Sequence, residues 1–209
     1  MNVLIIEDHP LVSKGVKMAI LEVSAEACIF EAAAFGQGME LIASHRMDIV
    51  ILDIDIPGGE GTGMVEKIRQ KHPLTLILVH SGYDERIYAL PFIRAGANGF
   101  LSKKASHEEF IVAWTTILKN RKYVSVTVQE QLLDNLVDQS GKNTSNPFLS
   151  LSPKELQVLQ LMNEGKWNKE IAAILNVREN TISTFKKRIY EKFDVRDERE
   201  LFKKVQMYS

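Results

Sequence analysis

DIVILDIDIP, residues 48–57, runs four apolar residues into an acid at Asp53, and Ile49, Val50 and Ile51 are β-branched. An unbroken apolar run of this length suits a central parallel strand buried on both faces. Pro57 cannot donate to a ladder, so the strand ends before it, and Gly58, Gly59 and Gly61 make a loop. Asp53 therefore falls at the carboxyl end of a buried strand, where open α/β sheets place their ligands. A carboxylate there requires a cation, a proton or a covalent role.

The chain on either side repeats the pattern. Residues 3–6 are apolar and end in Glu7-Asp8, and Pro10 opens a helix with Leu11, Val12, Val16, Ala19 and Ile20 at helical spacing. Strands are predicted over 28–32, 74–79 (ending in His80-Ser81-Gly82) and 99–101 (leading to Ser102-Lys103). Helices are predicted over 36–44, 62–71, 84–95 and from a Ser106 cap to Lys119. Pro91 inside the fourth helix predicts a kink or a late start. Five β-α repeats imply a doubly wound, five-stranded parallel sheet of the flavodoxin-like kind over residues 1–121.

Length and charge call for a second module. The 209 residues are 45% hydrophobic and 25% charged, values of a soluble globular protein. No run approaches the roughly 18 apolar residues of a membrane span, and residues 3–6 lack the basic flank of a secretory signal, so a cytoplasmic location is expected. The single cysteine, Cys28, excludes an internal disulfide, and its apolar neighbours predict a buried, inert thiol. Residues 1–120 carry 11 Lys+Arg against 15 Asp+Glu, a net −4, whereas residues 150–209 carry 12 against 9, a net +3. An acidic front and a basic back suggest that the second module faces a polyanion. Residues 122–149 read as a connector, with a helix over 127–139 and a polar, turn-rich linker over 140–147. Residues 150–209 read as four short helices without strands.

Glu7, Asp8 and Asp53 fall at the ends of neighbouring strands. Converging carboxylates repel unless a cation joins them, and hard oxygen donors suit Mg²⁺. Ser81 and Lys103 end the fourth and fifth strands, placed to hold two oxygens of a phosphoryl group on Asp53. Any one of the five could be a solvated rim residue; all five at the ends of the right strands argue for a site. Together with Pro57, Ala95-Gly96-Ala97 and Lys103, these residues resemble a response-regulator receiver domain over the whole first module. The resemblance implies that Asp53 accepts phosphate from a sensor histidine kinase. It also implies that Asp8, Asp53 and the main-chain carbonyl of Asp55 bind Mg²⁺, with Glu7 standing where Asp is commoner, and that Ser81 and Phe100 form a switch pair. Such a protein is not an enzyme beyond its own phosphoryl transfer.

Rival readings fit less well. Asp53-Ile54-Asp55 resembles the D-x-D of haloacid-dehalogenase-type phosphatases, but that motif belongs on a first strand. Gly59, Gly61 and Gly63 do not follow the first strand, as a dinucleotide fingerprint requires. His9, His45, His72, His80 and His107 share no metal spacing.

In the basic module, residues 168–175, a turn at Asn176-Val177 and residues 179–193 read as helix-turn-helix. Ile182, Phe185, Ile189 and Phe193 form the inward stripe; Ser183, Thr184, Lys186, Lys187 and Arg188 lie off it and suit a major groove. Lys-Lys-Arg alone would mean only a charged surface. Leu151-Ser152-Pro153-Lys154-Glu155, Asn168-Lys169-Glu170-Ile171-Ala172, Thr181-Ile182 and Lys192-Phe193-Asp194-Val195, however, resemble the LuxR-type helix-turn-helix, so the chain resembles a NarL/FixJ-type response regulator. That resemblance implies base contacts from Ser183, Thr184 and Lys187. Backbone contacts are implied from Lys169, Thr181 and Arg188, with Arg178 placed to meet a phosphate. The implied partners are double-stranded DNA, a second copy in the active state (with a contact on the last helix, where Leu201, Phe202 and Val205 are apolar) and RNA polymerase. The alternative of another class is a phosphoryl shuttle whose basic module docks protein.

Overall fold

The apolar runs become the strands β1 (Asn2–Ile6), β2 (Cys28–Ala32), β3 (Ile49–Leu52), β4 (Leu76–Ser81) and β5 (Gly99–Ser102) of one parallel sheet, ordered β2-β1-β3-β4-β5. In this computed structural model the described residues are 1–137 and 147–206. They fall into two units, Met1–Leu133 and Asp134–Ser209. The register pairs Ile6 with Leu52, Leu52 with Val79, and Val79 with Phe100. The carboxyl ends of four strands are thus level, and whatever follows them shares one edge.

Five helices complete the first unit: α1 (Pro10–Val23), α2 (Phe35–Ser44), α3 (Gly63–Lys71), α4 (Glu85–Arg94) and α5 (His107–Leu118). On one face of the sheet Val3, Ile5, Ile49, Ile51, Leu78 and Leu101 bury against Val16 and Ile20 of α1 and Phe110, Trp114 and Ile117 of α5. Each such side chain contributes about 1.5–3 kcal/mol. On the other, α2 approaches β1 so closely that a Cβ on Gly38 would lie 2.5 Å from Ile6 Cδ1. Ser106 caps α5, its hydroxyl accepting from the Glu109 N–H at 3.2 Å.

Three expectations change. First, α4 does not start late: it begins at Glu85 under an Asp84 cap and carries Pro91 inside it. An interior proline costs about 3 kcal/mol, but Ile87, Tyr88, Ala89, Leu90 and Phe92 are all buried, and that burial outweighs it. Second, β4 begins at Leu76, leaving Leu74 exposed, and runs on to Ser81. Third, Cys28 is exposed, because β2 is an edge strand covered less than the centre. Tyr123 pairs with Gly99 in a parallel bridge beyond β5, and α6 (Val126–Val137) follows where a helix over 127–139 is predicted. Of the predicted linker, residues 140–146 lie outside the described residues.

The second unit holds a 3-10 turn (Pro147–Ser150), then α7 (Pro153–Asn163), α8 (Asn168–Ile174), α9 (Glu179–Phe193) and α10 (Glu198–Gln206). Ser152 and Glu155 form a reciprocal capping box on α7. Gly165, at φ +76°, ends it in the left-handed conformation. Ile171, Ile182, Ile189, Phe193, Leu201 and Val205 are buried, and Phe148 meets Phe193 edge-on at 4.9 Å. Leu201 and Val205 therefore serve the core of their own unit, and a dimer contact on α10 could draw only on Phe202 among the three apolar residues.

Candidate acidic site and nucleic-acid interface

The level strand ends bring together what the sequence separates by about a hundred residues. The Asp53 N–H donates to the Ile6 carbonyl at 2.9 Å, and the Lys103 N–H donates to the Ser81 carbonyl at 2.7 Å. Backbone pairing thus joins the β1 and β3 ends, and the β4 and β5 ends. Oxygens of Glu7, Asp8 and Asp53 and a ring nitrogen of His9 lie within 4.8 Å of one another. Asp53 is buried, 2% exposed, and Glu7 is buried beside it.

Cations answer these charges. Lys103 Nζ lies 2.8 Å from Asp53 Oδ2 and 2.7 Å from Glu7 Oε2. Burial works against the ammonium, but its bonds to Asp53 and Glu7 outweigh that and raise its pKa. Glu7 Oε1 accepts from the His9 N–H at 3.0 Å, and His9 Nδ1 lies 3.0 Å from the same oxygen. Bonding to Glu7, then the charge of Asp8, raises the imidazole pKa. Asp53 Oδ1 accepts from the Asp55 N–H at 3.1 Å. Asp8 Oδ1 is buried without a hydrogen bond, its ion-pair approach to His9 Nδ1 at 2.8 Å apart. An oxygen so left is one a hard cation satisfies.

Ser81 is fully buried at the end of β4, its hydroxyl accepting from the Tyr83 N–H at 3.2 Å. Phe100 is fully buried, with its ring 6.1 Å from that of Phe92 in α4. Sequence reasoning missed His80. Its ring packs edge-on against Phe110 at 6.2 Å, its Nδ1 is buried without a partner, and burial pushes its pKa down to about 4, the Lys103 charge adding to the effect. The sequence signal was a lone histidine inside an apolar strand, Leu76 to Ser81.

In the second unit Ser183, Thr184, Lys187 and Arg188 are exposed on α9, as are Lys169 on α8 and Arg178 at the α9 N-cap; Thr181 is half-buried. Ser183 Oγ donates to the Glu179 carbonyl at 3.3 Å and Thr184 Oγ1 to the Asn180 carbonyl at 3.0 Å. With their protons so used, both hydroxyls keep acceptor capacity for a partner. Arg178 makes no capping bond. Lys186 leaves the group assigned to the groove: its ammonium is held within the unit by Asn168 Oδ1 at 3.2 Å and Glu198 Oε2 at 2.7 Å. Lys192 is likewise held by buried Glu155 at 2.6 Å. Phe185 is half-buried, less deep than the inward stripe implied.

A sheet with acids and a lysine at its carboxyl edge, followed by a helix-turn-helix, defines a class of two-part signalling regulator. Residues 3–130 match the response regulator receiver domain, and residues 149–205 match the bacterial regulatory proteins of the luxR family. The chain is 31% identical over 205 residues to the oxygen regulatory protein NreC of Staphylococcus haemolyticus, covering 96% of this chain and 94% of NreC. It is similar in structure to the Salmonella typhimurium response regulator RcsB, with TM-score 0.62, 25% identity and 99% of each chain covered. A structure of two RcsB dimers bound to two parallel DNAs is also similar, with TM-score 0.61, 25% identity, 99% of this chain and 98% of that one. The chain belongs to the response regulators that join a receiver domain to a luxR-type DNA-binding domain, and it is a transcription regulator of that family.

Proposed function

We propose that Asp53 accepts a phosphoryl group from a sensor histidine kinase and that the state of Asp53 controls DNA binding by α9. The observation that carries this reading is Lys103, whose ammonium bridges the two buried carboxylates Asp53 and Glu7. A carboxylate oxygen of Asp53 bonds to phosphorus as the phosphorus–nitrogen bond of phosphohistidine breaks, and the electron pair leaves with the imidazole. Lys103 then turns from the carboxylate to a phosphoryl oxygen, and Ser81 donates its hydroxyl proton to another. Phe100 is the partner of Ser81 in the switch.

Glu7, Asp8, Asp53 and the Asp55 main-chain carbonyl would hold Mg²⁺, and Asp8 Oδ1, buried with no hydrogen bond beyond its approach to His9, fits a hard cation. When bound, the ion offsets charge on the phosphoryl oxygens. In this reading residues 1–121 are the receiver, 122–149 the connector and 150–209 the DNA-binding module, whose Ser183, Thr184 and Lys187 read bases while Lys169, Arg178, Thr181 and Arg188 meet the backbone. Dimers on DNA, as described for RcsB, are the active form, and RNA polymerase is the further partner. No described helix is long and apolar enough to cross a membrane, and we place the protein in the cytoplasm.

Acetyl phosphate with Mg²⁺, followed by a phosphate-affinity gel, tests the acceptor. One shifted band is expected, lost in Asp53→Asn and blocked by EDTA; a shift that survives either treatment refutes the assignment.

A further inference from the structure

Trp167 is spent on neither the fold nor the helix it precedes. It is 76% exposed, the largest side chain among the exposed hydrophobics. It occupies the N-cap of α8 in extended conformation and gives no side-chain capping bond. The local stop is made instead by its backbone N–H, which donates to Glu170 Oε2 at 2.7 Å. Any residue would supply that bond, so the indole itself contributes nothing to the cap. Trp114, the other tryptophan, is fully buried and its indole N–H reaches Ser24 Oγ. The indole N–H of Trp167 has no acceptor among the described residues.

Its surroundings state what would cover it. Lys166 and Lys169 flank it and are exposed. The Asn168 side chain is fixed to Lys186 of α9 at 3.2 Å, which seats the start of α8 beside the middle of α9. An exposed apolar plate with one free donor, on a segment that carries exposed lysines at 166 and 169, matches the sugar-phosphate backbone: the ring suits deoxyribose and the N–H a phosphate oxygen.

We propose that Trp167 is a DNA-backbone contact, packing its ring on deoxyribose and donating Nε1–H to phosphate between Lys166 and Lys169. The proposal rests on the reading of the second unit as DNA-binding and adds a residue to it. A backbone contact carries no sequence information, so it operates on any duplex and supports register rather than base choice.

The test uses the full chain, treated with acetyl phosphate and Mg²⁺, and a mixed-sequence duplex of about 30 base pairs at about 50 mM salt, where backbone contacts are strongest. Because Trp114 is buried, acrylamide reports on Trp167, and saturating duplex is expected to suppress that quenching several-fold. Trp167→Ala is expected to weaken binding roughly tenfold on every duplex tried, and Trp167→Phe to fall between, keeping the ring and losing the donor. If wild type binds duplex while quenching is unchanged and Trp167→Ala binds equally well, the contact does not exist and the DNA reading stands. If wild type binds no duplex under these conditions, the DNA reading itself falls and takes the contact with it. Quenching suppressed by the duplex in wild type supports the contact even where Trp167→Ala folds poorly.

Discussion

The main-chain N–H of Phe100 donates to the Tyr123 carbonyl at 3.1 Å, so the residue proposed for the switch is hydrogen-bonded to the chain that follows α5. Tyr123 returns its own N–H to the Asn98 carbonyl at 2.9 Å, and its hydroxyl donates to Glu109 of α5 at 2.9 Å. Two residues on, Ser125 Oγ donates to Glu85 of α4 at 2.6 Å, and Lys122 Nζ reaches the carbonyls of Ile93 and Ala97. Residues 122–125 therefore span α4, β5 and α5. Gly99 permits this, because a Cβ there would meet Leu78 at 2.9 Å and Tyr123 at 3.3 Å.

Ser125 also accepts from the Val128 N–H at 3.3 Å, which makes it the cap of α6 as well as the tie to α4. Ser125→Ala should cost about 0.5–2 kcal/mol. The loss should appear as faster amide exchange at Val128 with only a small change in the melting of the first unit. Equal protection in both proteins would remove Ser125 from the start of α6.

Removing Lys103 leaves two buried carboxylates facing each other. Lys103→Ala should lower the melting temperature of the first unit, since breaking a buried pair costs about 3–5 kcal/mol. Mg²⁺ should recover more stability in Lys103→Ala than in wild type, because the ion meets charge that lysine otherwise neutralises. Phosphorylation should persist while the phosphoryl-dependent change in DNA binding is lost. The same response to Mg²⁺ in both proteins would argue that the metal does not bind among these acids.

His80 gives the first unit an acid limit. Its folded pKa, about 4, lies below the ordinary 6.5. The unfolded chain therefore binds the proton first as pH falls. The stability that depends on a neutral His80 is complete above pH 6.5, is lost between 6.5 and about 4, and changes no further below that. The loss is on the order of 3 kcal/mol. His80→Leu should flatten this part of the stability–pH curve, and urea titrations across the window measure it. An unchanged slope would assign the acid loss to other groups.

How far each of these features could be read from sequence follows from what fixed it. Asp53, Ser81 and Lys103 were legible because hydrophobic runs end abruptly at each, and a parallel sheet turns strand ends into one edge. The depth of Cys28 was not, since the apolar run Ala27–Phe30 reads the same at an edge as at the centre. Pro91 did not delay the start of α4, because propensity is local, whereas the burial of Ile87 through Leu90 and of Phe92 is tertiary. Lys186 looked like its neighbours Lys187 and Arg188; only the positions of Asn168 and Glu198 distinguish it. The Tyr123 bridge leaves no periodic signal, being a single pair.

On α9 that distinction becomes measurable. Lys186→Ala should destabilise the second unit, because it releases Glu198 and Asn168, and should alter DNA binding only through that loss. Lys187→Ala should leave stability unchanged and reduce discrimination between sites by about 1–3 kcal/mol per base contact. Arg188→Ala should weaken all sites alike and flatten the salt slope by about one unit. Binding across a salt series, with melting curves for each variant, separates the three. A Lys186→Ala protein of wild-type stability that has lost site discrimination would return Lys186 to the groove.

Control by Asp53 needs a link between its state and the α9 surface. Residues 140–147 are polar and rich in turn formers, a composition ill suited to carrying strain, so the physical option is a docking equilibrium that phosphorylation shifts. The unphosphorylated receiver would cover the Ser183–Arg188 surface, and modification would release it to bind as a pair on half-sites about one helical turn apart. Residues 145–209 alone should then bind DNA at least as well as the unphosphorylated full chain. The full chain should gain affinity on treatment with acetyl phosphate, and Asp53→Asn should not. Release from docking raises apparent affinity only by the inverse of the competent fraction, so a tenfold gain implies that about one molecule in ten was already free. If full-length Asp53→Asn binds the same site as tightly as phosphorylated protein, docking control is excluded, and phosphorylation must act through dimer formation or a later step.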